Sequence, residues 1–423
     1  MRLARKNSLR ICLVGAAHPC YNPRLVREAD ALWEAGYQVR VVAPLFNPAL
    51  VEKDRELMTH RDWRLERVDV LPRRGNKLHS IWIRGRRCLA QEVARGFPEP
   101  WLAEHSYTLA LPEMRVLAAR EPADWFIAHA HGALPVAAAA AACWNARLGF
   151  DCEDLLVHTP EEPRAVLRAI EAEYLPRCSY ISTASPLMAE QLVQDRHIPA
   201  PLVLYNVFSL ALAEGMLIPA LRPAARAMRL HWFGQTIGLG RGLEDAIAAL
   251  SHLPAEAELH LRGNPSPGVR EKLEALAGRE RHRLFFLPPL QHDEVIRAME
   301  PFDVGLALER PDHGNYSRTV TNKFFSYLLA GLAVAASDTP GQQQLMAQMP
   351  SAGFLYPAGE ARALADGLLK WVRDRQTLRT AQQAAWDAAR ARFCWERERE
   401  KFLSVFAENV PADPALAAVS AAS

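Results

Sequence analysis

LRICLVGAA, residues 9–17, is an apolar run that ends at Gly15 and leads at once into a helical pattern. A continuous apolar run closed by glycine reads as a strand of a parallel sheet, covered on both faces. Asn22 can cap the helix that follows, and Pro23 suits its first turn. Leu25, Val26, Ala29, Leu32 and Trp33 then recur at helical spacing, and Gly36 stops the helix. YQVRVVA (37–43) is the next strand, DWFIAHAH (124–131) a later one and YISTAS (180–185) another. The same opening returns as RLHWFGQT (229–236). ELHLRG (258–263), RLFFLPPL (283–290), DVGLAL (303–308) and LAVAAS (332–337) read as the strands after it, with helices between. Alternation of strand and helix through both halves gives an α/β chain of two Rossmann-like, doubly wound domains in tandem. The boundary falls in the Pro- and Ala-rich stretch 204–228, giving domains at 1–205 and 206–384, and residues 412–423 read as a frayed tail.

The bulk composition agrees with this. A chain of 423 residues has length for two or three domains. The net charge of +2 gives no global reason to bind nucleic acid. The seven cysteines are scattered without a C-x-x-C pair, so neither a zinc ribbon nor a disulfide framework is indicated and a reducing cytoplasm fits. The basic start and short apolar run of residues 1–20 resemble a signal peptide, but the helix that follows at once favours a first strand. No apolar run approaches the ~18 residues that a membrane-spanning helix needs, and the alanines after Pro135 read as a tightly packed helix.

Neither opening strand is followed by G-x-G-x-x-G, which disfavours a dinucleotide oxidoreductase. There is no G-x-x-x-x-G-K-[ST] loop and no G-x-S-x-G elbow. Ligands of such sheets bind at the carboxyl ends of the strands, so the polar residues just past each strand matter. Four clusters qualify. In HAHG, His129 and His131 stand at a strand end, where alternation places both on one side. They fit core histidines, a metal pair lacking a third ligand, or a functional site. GQTIGLGRG (234–242) offers backbone N–H groups, with Arg241 opening a helix; it fits a diphosphate cradle or a flexible loop. LRGN (261–264) fits a base pocket or an ordinary turn. TNKFFSYLLAGLAVAASDTPG (321–341) can be capped by Thr321, with Asn322 and Lys323 in the first turn. A lysine there opposes the helix dipole unless an anion is near, and Ser326 is a lone polar residue between Phe325 and Tyr327. The segment 61–95 carries ten Lys or Arg against four Asp or Glu, with Trp63, Ile81, Trp82 and Ile83. It fits an anionic membrane surface or a solvated patch.

Taken in order, these stretches resemble the family-4 group of retaining glycosyltransferases, which have the GT-B fold. NPRLVREADALWEAGYQVRVVA (22–43), HAHGALPVAAAAAA (129–142), VLYNV (203–207), HWFGQTIGLGRGLEDAI (231–247), the 321–341 stretch and RFCWERER (392–399) carry the likeness across nearly the whole chain. The resemblance implies a metal-independent hexosyltransferase without a cofactor, with a cleft between its domains and a helix, here 385–411, that crosses back to the first. It implies transfer with retention from a nucleotide-sugar donor to a glycan or lipid-linked acceptor, in cell-surface polysaccharide synthesis, in the cytoplasm or on the inner membrane face. Carried over by position, Arg241 meets the diphosphate and Gln235 stands where a second basic residue is usual. Gly263, Asn322, Lys323 and Ser326 complete the donor side; Gly15 and Ala16 form the acceptor-side loop; His131 faces the transferred sugar. The family's two glutamates, separated by seven residues, are replaced by Arg318 and Ser326. Two other readings stay open: a GT-B binding protein without turnover, and a sugar-nucleotide 2-epimerase using Asp151, Glu153 and Asp154.

Overall fold

The computed structural model describes residues 9–73, 75–223, 227–290, 294–311 and 314–407. The basic start before residue 9 and the expected tail at 412–423 lie outside them. The chain forms two compact units, one of residues up to Leu204 together with those from Arg399 onward, the other Tyr205–Glu398.

The first unit is built on strands β1 (Arg10–Gly15), β2 (Gln38–Leu45), β3 (Arg64–Asp69), β4 (Trp125–His129), β5 (Arg147–Cys152), β6 (Tyr180–Thr183) and β7 (Leu202–Val203). They run in the order β3-β2-β1-β4-β5-β6-β7, and every pairing is parallel. Ile11–Val14 and Phe126–Ala128 are buried, as strands covered on both faces must be. The helix Pro23–Glu34 is capped by Asn22, whose side chain accepts from the Leu25 N–H at 3.0 Å. The alanine-rich helix Leu134–Trp144 buries most of its residues, small side chains allowing close approach to the sheet.

The second unit holds β8 (Met228–Ile237), β9 (Ala257–Pro265), β10 (Leu284–Leu287), β11 (Val304–Ala307), β12 (Ala333–Ser337) and β13 (Gly353–Tyr356). The order is β10-β9-β8-β11-β12-β13, again parallel throughout. In each sheet the order reverses beside the first strand, between β1 and β4 and between β8 and β11. Those reversals are the switch points where a doubly wound sheet opens a crevice.

Three expectations need correction. The single helix expected over 385–411 is two, Arg375–Ala391 and Trp395–Ala407, with the break at Arg392–Cys394. The second helix carries Phe406 into a ring cluster of the first unit with Trp125 at 5.3 Å, Tyr37 at 6.0 Å and Tyr180 at 6.1 Å. Of the four apolar residues singled out in 61–95, Trp63 and Ile83 are buried, and the Trp63 indole donates to Asp30 at 2.7 Å. Strands β3, β5, β7 and β13 complete the sheets beyond those expected. Among the described residues no helix is long and apolar enough to cross a membrane.

Candidate functional site

At the carboxyl end of β8 the strand outlasts its sequence reading. It continues past Gly234 to Ile237, with a register shift between Phe233 and Thr236. Gln235 therefore stands exposed at the irregular stretch of β8, and the loop shrinks to Gly238–Gly242. Gly240 and Gly242 have φ of 72° and 74°, and the helix Leu243–Leu250 starts immediately after. Arg241 between them is exposed and folds back over the loop, its Nε 3.6 Å from where a Cβ on Gly238 would sit. The Gly240 N–H donates to Glu244 at 2.7 Å. A turn of this form, with a guanidinium at a helix N-terminus, can hold an anion. Gly263 is not in a turn but inside β9. Its φ is 146°, and a Cβ there would lie 2.3 Å from the Gly234 carbonyl oxygen, so close backbone approach requires this glycine.

The neighbouring strand end holds a polar network that the sequence reading missed. Glu309, two residues beyond β11, accepts from Thr321 Oγ1 at 2.8 Å, Lys323 Nζ at 2.9 Å and Gln342 Nε2 at 3.2 Å. Burial works against its charge, but Lys323 and Thr321 outweigh it and hold the carboxyl below its usual range. The anion that justifies Lys323 in a first helical turn is thus Glu309. Thr321 is at the N-cap of the helix Asn322–Ala330, yet its hydroxyl serves Glu309 rather than the helix. The Oε1 of buried Gln342 has no hydrogen-bond partner. The rule of looking just past each strand would have found Glu309 directly. Ser326, by contrast, is buried, and its hydroxyl donates to the Asn322 carbonyl at 2.9 Å. It is spent on its own helix, a common use of serine in mid-helix. Arg318 likewise turns back to the Gly314 carbonyl at 3.0 Å.

In the first unit, β4 stops at His129, and Ala130 takes a left-handed φ of 67°. Strand alternation therefore does not extend to His131, and the two histidines meet different partners. His129 is sealed among carboxylates: Nε2 is 3.2 Å from Glu28, Nδ1 3.4 Å from Asp151 and 3.6 Å from Glu153. Burial opposes a charge on the ring, but these carboxylates outweigh it and hold it protonated well above its ordinary range. Asp151 is gripped by Arg24 through two bonds of 2.6 and 2.8 Å and accepts from Ser182 at 2.7 Å. Glu28, His129 and Asp151 lie close enough to hold a cation. The carboxylates, however, face different ring nitrogens, and Arg24 already neutralises Asp151, so the set reads as a buried ion-pair network. The group His18, Cys20 and Asp54 is a latch. His18 Nδ1 donates to Asp54 at 2.6 Å, while Nε2 accepts from the Phe46 and Asn47 N–H groups at 3.1 and 3.0 Å.

His131, the residue expected to face the transferred sugar, is packed inside the first unit. It is only 1% exposed, with Nε2 2.9 Å from Glu171, whose other oxygen pairs with Arg196 at 2.7 Å. Gly15 is buried at the end of β1, opposite His129 in register, and Ala16 packs against the histidine loop, 3.2 Å from where a Cβ on Gly132 would sit.

No family model and no curated protein sequence matches the chain. Solved structures do. Anabaena HepE, in complex with UDP, aligns over 95% of this chain and 100% of its own, with a TM-score of 0.68 at 16% identity. A sucrose-phosphate synthase from Thermosynechococcus elongatus covers 96% of this chain and 100% of its own, with a TM-score of 0.69 at 16% identity. The chain has the GT-B fold. The fold does not by itself choose a reaction: a Listeria monocytogenes protein described as a putative UDP-N-acetylglucosamine 2-epimerase also aligns, over 89% of this chain and 91% of its own, with a TM-score of 0.54 at 13% identity.

Proposed function

We propose that the chain is a glycosyltransferase that moves a sugar from a nucleotide-sugar donor to a glycan or lipid-linked acceptor, with retention and without a metal. The observation that carries this is the Gly238–Gly242 turn, with exposed Arg241 at the start of the helix Leu243–Leu250 and beside a switch point. In this reading Arg241 and the helix N-terminus stabilise the leaving diphosphate electrostatically. The GT-B neighbour HepE has been solved with UDP and with UDP-glucose, which supports a donor of that class here. With Ser326 turned inward, Glu309 is the carboxylate at this edge that can take a donor hydroxyl. His131 keeps its proposed place beside the transferred sugar, with Glu171 fixing the ring through Nε2 and leaving Nδ1 as the second nitrogen.

A binding protein without turnover is the second reading, favoured by the burial of Ser326. The epimerase reading loses support, because Asp151 is sealed by Arg24 and cannot exchange protons freely. Release of sugar from a panel of nucleotide sugars in a single turnover separates these readings. The wild type should release sugar from at least one donor. His131→Ala should lower that rate about a hundredfold while nucleoside-diphosphate affinity holds. A wild type that binds nucleoside diphosphate and releases no sugar would leave the binding reading standing instead.

A further inference from the structure

The helix Lys77–Ala94 buries Ser80, Ile83, Ala90 and Ala94 on one face. Its other face is apolar and open: Leu78 is 84% exposed, Trp82 64% and Leu89 68%. At ~100° per residue these three fall within about 40° of one another, so they form one stripe. Ile81 and Val93 widen the stripe, and Phe97 and Trp101 extend it in sequence beyond the helix end, all exposed. Lys77, Arg84 and Arg95 are exposed along one margin, and Arg86 lies on the other, paired with Glu113 at 2.8 Å. The only acid on the helix, Glu92, falls within the span of the stripe, beside Ile81, and is neutralised by Arg95 at 2.6 Å.

Large apolar side chains gathered on an open face mark an interaction site rather than ordinary surface. We propose that this helix docks the protein in the plane of an anionic lipid bilayer. The charge pattern selects that occupant. A cationic margin beside an apolar stripe matches lipid headgroups over acyl chains, and two tryptophans suit the interface between them. A helix of 18 residues this rich in arginine lies on a membrane and does not cross it. The proposal gives the transferase reading a place of work beside a lipid-linked acceptor, but its test is binding and does not depend on transfer.

The test is flotation of the full chain with phosphatidylcholine vesicles, with and without phosphatidylglycerol. The wild type should bind the anionic vesicles and release them as salt rises. Trp82→Glu with Leu89→Glu should weaken binding at least about tenfold, and Lys77→Gln with Arg84→Gln about tenfold or more on anionic vesicles alone. These residues are exposed, so thermal melts should stay unchanged in both variants. Equal binding to neutral and anionic vesicles, or undiminished binding by the Trp82/Leu89 variant, would overturn the proposal. So would light scattering that shows a wild-type dimer which this variant splits, because a second copy would then own the stripe.

Discussion

His231, in the middle of β8, is buried against Phe302, with ring centroids 4.2 Å apart and planes within 7°. Neither ring nitrogen has a side-chain hydrogen-bond partner. Burial, with help from Arg262 and His260, pushes its pKa down to about 3. The folded state therefore keeps the ring neutral while the unfolded chain protonates it below its ordinary value of 6.5. The stability it contributes is complete above that value and is lost as pH falls from 6.5 towards 3, at roughly 1.4 kcal/mol per pH unit. Between pH 6.5 and pH 5 the wild type should lose about 2 kcal/mol that His231→Phe retains. Denaturant titrations of both proteins at the two pH values measure this, and parallel losses would refute the assignment. At this scale the sequence was a partial guide. It singled out Lys323 as misplaced without an anion, and Glu309 proved to be that anion. It misjudged the bonding of Ser326 and the side shared by His129 and His131, because residue type and spacing do not say whether a hydroxyl bonds its own helix or where strand alternation ends.

Among the elements, the turn between β8 and its helix depends on two glycines with nearly the same φ and different surroundings. A Cβ on Gly242 would lie 2.3 Å from the Leu308 carbonyl oxygen, whereas one on Gly240 would meet nothing within 4 Å. Gly240→Ala pays only left-handed strain, about 1–2 kcal/mol. Gly242→Ala adds a clash with backbone, for a total of about 2–5 kcal/mol. Calorimetric melts should show the larger fall in Tm for Gly242→Ala; equal shifts would mean that the loop relaxes away from Leu308. Glycine ending an apolar run was the feature that made β1 and β8 legible. Strand β3, RLERVD, has only two apolar residues among four charged ones and neither an apolar run nor a strict alternation, and two-residue β7 has too little sequence to show a pattern. Such strands exist because the sheet offers an edge to pair with, a tertiary cause outside the local sequence. The bulge that carries β8 on through Gln235 was hidden for the same reason, its glycine reading as a strand end.

For the whole molecule, two doubly wound domains in tandem were readable from the repeated opening, and the GT-B fold was implied only by the family resemblance; the matching switch points came from the strand order of the structure. The crossing of the C-terminal helix back to the first unit was implied by the family resemblance of RFCWERER, but the break at Arg392–Cys394 was not. The chemistry rests on one place in the second unit, the Gly238–Gly242 turn with its exposed arginine. The decisive measurement is calorimetric titration of the full chain with nucleoside diphosphates, repeated on Arg241→Ala. A charge-assisted hydrogen bond is worth about 1.5–3 kcal/mol, so the wild type should bind one of the diphosphates and the variant should bind it at least about tenfold more weakly, with unchanged Tm. Wild-type protein that binds none of them, or an Arg241→Ala variant with undiminished affinity, would contradict the placement of the donor diphosphate at this turn.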